Sequence, residues 1–155
     1  TESVSRAMGL QHKVRNFYNN ISDPRAPYGD VTMDTHAIAA SLLRPLSGKS
    51  VEVSENLGGG PSSSLLGIQG SPYPVHADAY REAATDRGIL PRELQSVTWE
   101  GVRGLYSPEQ KRNKAFVASI DDLFAQYREG KIPLENVQQQ VLQMAGGITL
   151  PEWAK

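Results

Sequence analysis

Apolar residues along this chain recur mostly three and four positions apart, the period of an amphipathic helix. The first series is Leu10, Val14, Phe17, Tyr18 and Ile21, which predicts a helix over about 10–21 with one apolar stripe turned to the core. Lys13 and Arg15 fall off that stripe. The segment from Ser22 to Asp30 is rich in Pro, Gly and Asp and ends the helix. Val31-Thr32-Met33 then reads as a brief extended entry to a second helix. Thr32 or Asp34 can cap that helix, which should reach about Arg44 with Ala37, Ile38, Ser41 and Leu42 inward, before Pro45 stops it.

The pattern changes over residues 45–74. Ser50-Val-Glu-Val-Ser54 alternates, as a short strand or half of a hairpin would, and Asn56 to Ser64 is a Gly/Ser-rich tract that predicts a flexible insertion. From Val75 onward helical spacing returns. Val75, Ala79, Tyr80 and Ala83 mark one helix, ended by Gly88. Pro91 opens another, with Leu94, Val97, Val102 and Leu105 as core and Trp99 and Tyr106 beside them. Phe116, Ile120, Leu123, Phe124 and Tyr127 predict a helix over 111–129. Leu134, Val137, Val141, Leu142 and Ala145 predict a last one, ended by Gly146-Gly147, with Trp153 pinning the tail. The expected fold is all-α or nearly so: one domain over 1–155, six or so helices, and one long loop at about 45–74 with room for a short hairpin.

Composition narrows the chemistry. The chain has no cysteine, which removes thiolate catalysis, zinc–thiolate sites and disulfides together. His12, His36 and His76 lack metal-motif spacing. The triple glycine at 58–60 lacks both the Lys-Ser/Thr ending of a P-loop and the spacing of a dinucleotide fingerprint, so neither metal nor cofactor is expected. No apolar run approaches a bilayer span, and the first eight residues lack the apolar core of a signal peptide. Because Thr1 rather than Met comes first, a processed product or a piece of a longer polypeptide is expected. Net charge is −1, which argues against a general nucleic-acid coat protein. The first fifty residues hold six basic side chains (Arg6, Lys13, Arg15, Arg25, Arg44, Lys49) against four acids, a mild basic bias.

Lys13 and Asp34 form the most suggestive pair. An unprotonated lysine can attack a carbonyl or an anomeric carbon, and a carboxylate at a helix start can stabilise a sugar cation or orient a water. These two residues, and His36 two positions after Asp34, also have plain structural uses: Lys13 as a solvated helix lysine, Asp34 as an N-cap, His36 as a surface imidazole. The residues alone leave both readings open, and with them whether the protein is an enzyme at all.

Gly9-Leu-Gln-His-Lys13-Val followed by Val31-Thr-Met-Asp34-Thr-His36-Ala resembles the signature of the helix-hairpin-helix DNA glycosylases. In that family a Leu-Pro-Gly-Val-Gly-x-Lys-x-Ala hairpin leads one helix, and a Val-Asp-Thr-His-Val segment opens the next. The resemblance implies Lys13 as a Schiff-base nucleophile and Asp34 as the catalytic carboxylate. It implies Gly9, Gln11, His12, Arg15 and His36 as DNA contacts, with Gln11 standing where the family has its second hairpin glycine. A wider pattern also resembles uncharacterised bacteriophage proteins that occur alone or as parts of larger polypeptides. It joins Lys13 to Ile21, Val31 to Asp34, Gly88 to Glu100, and Gly146-Gly-Ile148. Together these resemblances imply a DNA-binding or glycosylase-like domain with DNA, phage or host proteins as partners, in the cytoplasm of an infected bacterium or in a virion. The rival expectation is a non-enzymatic module of a phage particle, or a protein that binds a host factor.

Overall fold

Three side chains from three different helices hold a short buried stretch of extended backbone, and the helices are arranged around it. The structure is a computed structural model that describes residues 4–7, 12–26, 29–57 and 72–147. Among these the chain forms nine helical segments and no strand. They are α1 (Val4–Ala7), α2 (His12–Ser22), α3 (Thr35–Leu42), α4 (Val51–Asn56), α5 (Tyr73–Asp86), α6 (Pro91–Arg103), α7 (Pro108–Arg112), α8 (Lys114–Arg128) and α9 (Leu134–Met144). No helix among the described residues is long and apolar enough to cross a membrane.

Val31, Thr32 and Met33 form the buried stretch, and buried backbone polar groups must find partners. The Tyr73 hydroxyl donates to the Val31 carbonyl at 2.9 Å and accepts from the Met33 N–H at 3.0 Å. Asn16 Nδ2 donates both to that carbonyl (2.9 Å) and to the Tyr73 hydroxyl (3.0 Å). Gln95 takes Thr32 from the other side: its Oε1 accepts from the Thr32 N–H at 2.9 Å and its Nε2 donates to the Thr32 carbonyl. A glutamine amide that pairs with both groups of one residue acts like a neighbouring strand, without a sheet.

Two apolar clusters share the interior. The first gathers Val31, Met33 and Ile38 with Val53, Leu57, Tyr73, Tyr80, Ala84 and Leu94, where α6 packs on α3 and α5 and where α4 packs on α3. The second holds Leu105, Tyr106, Ile120, Leu123, Val137 and Val141, where α8 lies between α7 and α9. Their joint is the end of α3. Leu43 sits in the left-handed region (φ 50°), with its N–H on Ala40 O and the Arg44 N–H on Ala39 O, a helix ending in which glycine usually takes that position. Leucine is strained there, but its side chain packs on the second cluster. The Tyr106 hydroxyl donates to the Leu43 carbonyl at 3.2 Å. Arg44 pairs with Asp121 and lies 4.9 Å over the Phe124 ring.

Several expectations are corrected. Residues 51–56 are helix rather than strand, because Val53 and Leu57, four apart, are the pair the first cluster buries. In α5 the inward face is Tyr73, Ala77, Tyr80 and Ala84. The helix starts at Tyr73, whose hydroxyl network fixes the rotation and turns Val75 and Ala79 outward. Leu94 is buried but Val97 is exposed, and in α3 Ala39 replaces Ser41 on the buried face. The helix expected over 111–129 is split at Asn113, whose side-chain oxygen accepts from the N–H groups of Ala115 and Phe116 and so caps a new start. Leu123 is buried, whereas Trp99, Phe116 and Phe124 are only partly so.

The largest departure is α2. Its apolar stripe does not face the core: Val14, Phe17, Tyr18 and Ile21 are 42, 60, 40 and 65% exposed. The opposite face docks instead, through Asn16 as above, Asn19 to Asp30 (2.5 Å) and Asn20 to Thr32 Oγ1 (3.3 Å). Hydrogen bonds to an otherwise unsatisfied backbone outcompete the burial of that stripe. Leu10 and residues 58–71, most of the expected flexible tract, lie outside the described residues, as does Trp153.

Ile120 is fully buried, so Ile120→Ala should cost about 2–5 kcal/mol in urea unfolding. Phe124→Ala should cost less than the roughly 3–5 kcal/mol of a fully enclosed phenylalanine; a larger loss would mean that α8 is rotated from this packing. Tyr73→Phe removes the hydroxyl that joins the Val31 carbonyl, the Met33 N–H and Asn16, leaving the Met33 N–H only its 3.2 Å bond to the Val31 carbonyl, and should destabilise by about 1–3 kcal/mol with the helical content unchanged.

Candidate functional cleft

The buried 31–33 stretch delivers Asp34 to the start of α3, facing a cleft between α2 and α6. This cleft encloses about 500 Å³. Its α2 wall is Lys13, Phe17, Asn20 and Ile21; its floor is Thr32 and Asp34; its α6 wall is Arg92, Gln95, Ser96, Trp99 and Glu100. Lys13 and Asp34, 21 residues apart in the chain, therefore line one cavity. No hydrogen bond or ion pair joins them.

Asp34 divides its carboxylate between two uses. Oδ1 accepts from the Ala37 N–H at 2.8 Å and caps α3. Oδ2 lies 3.8 Å from Nδ1 of half-exposed His36. The His36 ring meets Trp99 edge-on, with centroids 5.6 Å apart, and the Arg103 guanidinium lies 4.9 Å over the Trp99 ring. Trp99 is thereby braced at the cleft by an imidazole and a cation. Arg92 is anchored by Nε to the Pro24 carbonyl, which fixes the turn after α2 against α6. Gln95 is spent on Thr32, so it shapes the cleft rather than serving a ligand.

Of the predicted site residues, the structure brings Lys13 and Asp34 to one cavity and sets His36 beside Asp34. Arg15 is half-buried on α2 and does not line the cleft. Gly9 and Gln11 lie outside the described residues, as does the side chain of His12. The sequence reading missed Phe17, Arg92, Trp99 and Glu100 as cleft residues. One signal was available for the α2 wall: Asn16, Asn19 and Asn20 repeat at helical spacing on the side opposite the apolar stripe. Among the described residues no cluster of three or more His, Asp or Glu side chains could hold a metal ion.

A second cavity of about 340 Å³ lies between α3, α5 and α6, more apolar, and lined by Ala40, Tyr80, Leu94 and His76 among others. His76 Nε2 is 2.7 Å from Asn56 Oδ1, which ties α5 to the end of α4. Burial pushes its pKa below the ordinary value of 6.5. Burial likewise raises the phenols of Tyr73 and Tyr80, and takes Tyr106 up to about 12.

The fold and site define an all-helical domain with a mixed-charge, aromatic-lined cleft at the start of a helix. Residues 1–105 match the family described as a family of unknown function, DUF7178, and the chain belongs to that family. The whole α2–α6 cleft lies within the matched residues, whereas α7, α8 and α9 lie beyond them. No curated protein and no solved structure matches the chain.

The depressed His76 pKa gives a signed prediction. In the unfolded chain the imidazole takes its proton first, so the stability held by neutral His76 is complete above about pH 6.5 and is lost as pH falls through the lower folded value. His76→Gln should therefore lose less melting temperature than the parent between about pH 7 and pH 5.5. Equal losses would remove His76 as the group responsible.

Proposed function

We propose that the α2–α6 cleft takes up an unstacked nucleotide, and that Lys13 and Asp34 act there on its N-glycosidic bond. The observation that carries this reading is the shared cavity: a lysine, a helix-start carboxylate and a braced tryptophan line one space. Its volume falls within the range of small-ligand sites. A base extruded from a strand needs an aromatic surface to replace its lost stacking, which Trp99 offers. Arg92 on the facing wall supplies a cation for a phosphate. As the N-glycosidic bond breaks, the base leaves with its electron pair and takes a proton from solvent, while the Asp34 carboxylate beside His36 stabilises positive charge on the sugar. The neutral Lys13 amine bonds to the anomeric carbon and gives up a proton to solvent, and opening of the sugar ring yields the imine that borohydride reduces and water otherwise hydrolyses. The domain so read is a phage-encoded DNA-binding, glycosylase-like hydrolase of the infected host cytoplasm or the virion. The resemblance of Gly9–Lys13 and Val31–His36 supports that extension.

A second reading rests on a separate observation. Asp34 Oδ1 already caps α3, a full structural use for this carboxylate. In that case the domain is a non-enzymatic module of a phage particle, or binds a host protein.

Borohydride added during incubation with single-stranded or base-damaged oligonucleotides should trap a covalent complex, and Lys13→Ala should abolish it. Asp34→Asn should slow base release by about 10²–10⁴-fold while leaving stability nearly unchanged, since asparagine caps a helix about as well as aspartate. Trp99→Ala should weaken oligonucleotide binding measured by fluorescence anisotropy, by about 1–3 kcal/mol. Absence of both trapping and binding across such substrates would pass the function to the second reading.

A further inference from the structure

The outward stripe of α2 is the feature the cleft does not absorb. Val14, Phe17, Tyr18 and Ile21 stand at i, i+3, i+4 and i+7, the spacing of a helix–helix seam, and all four are exposed. The helix cannot roll to bury them, because Asn16, Asn19 and Asn20 fasten the opposite face to Val31, Tyr73, Asp30 and Thr32. We propose that this stripe pairs with the same stripe of a second copy of the chain, the two α2 helices running antiparallel across a two-fold axis between Phe17 and Tyr18.

Self-complementarity argues for a second copy as the occupant. The spacing of the stripe reads the same in both directions, so the two-fold sets Val14 against the partner copy's Ile21 and Phe17 against its Tyr18. Charge argues for the antiparallel sense. The basic residues Lys13 and Arg15 stand in the first turns of α2, and no basic residue occupies its last turn. That order opposes the helix dipole, whose positive end is the N-terminus. In an antiparallel pair each N-terminal end meets the other copy's C-terminal carbonyls and the exposed Asp23 just past them, and the opposition is relieved. A parallel pair would stack like ends together. Phe17 and Ile21 also line the cleft, so the second copy lies along the cleft's α2 edge; Val14 and Tyr18 line no part of it.

The chain has no cysteine, so single cysteines introduced into it report the geometry without background. Tyr18→Cys lies beside the axis and should form a disulfide-linked dimer under mild oxidation. Val14→Cys should not, because its two copies lie about 10 Å apart along the helix axis alone, beyond disulfide reach. The Val14→Cys, Ile21→Cys double variant should link again. In sedimentation velocity the wild-type chain, 16.9 kDa as a monomer, should show a concentration-dependent dimer. Val14→Glu with Tyr18→Glu should lose that dimer while keeping its helical circular dichroism. A wild-type chain that stays monomeric at every concentration overturns the proposal and leaves the stripe to a different protein. Cross-linking of Val14→Cys as efficient as that of Tyr18→Cys overturns the antiparallel two-fold. Nucleotide uptake is read separately, by trapping and binding with the Val14→Glu, Tyr18→Glu variant, whose changed positions line no part of the cleft.

Discussion

The hydrogen-bonding demand of three buried extended residues governs this structure. Val31, Thr32 and Met33 pass through the first apolar cluster with no neighbouring strand among the described residues to pair with. Asn16, Tyr73 and Gln95 supply the partners instead. An unpaired buried backbone group costs about 1–3 kcal/mol, so the three side chains act as a set of constraints rather than as decoration. They set the rotation of α2, the register of α5 and the approach of α6 to the chain. A tyrosine hydroxyl with one donor and two acceptor positions is fully used here, donating to Val31 and accepting from Met33 and Asn16.

The cleft follows from that arrangement. Because α2 docks through asparagines, it stands off from α6 rather than packing on it with its apolar stripe, and the space between them remains. Because Val31 to Met33 run extended beneath, the next residue, Asp34, emerges on the floor of that space and starts α3. The acid at the helix start, the lysine on the wall and the braced tryptophan opposite are thus positioned by one buried stretch, and all of them fall inside the family-matched residues. The three helices beyond have their own apolar cluster. They join the rest through Leu43 in a conformation leucine rarely takes, Arg44 between Asp121 and Phe124, and the Tyr106 hydroxyl.

By itself the sequence determined the helical class, most helix limits and their local stops. These depend on neighbours three or four residues away and on caps, as with Asp34 at α3, Pro91 at α6 and Gly146 after α9. It also singled out Lys13 and Asp34, whose residue types and spacing were visible without a fold. Tertiary structure alone decided which face of each helix is buried. Periodicity named the apolar stripe of α2 but could not weigh it against the Asn16–Tyr73–Val31 hydrogen bonds, which join residues 15 and 57 positions apart in the chain. The same limit explains Val53 and Leu57, whose alternating neighbours looked like a strand until the first cluster chose the four-residue spacing. Arg92, Trp99 and Glu100 became cleft residues only when Gln95 drew α6 against Thr32, a contact across 63 positions that no local pattern records.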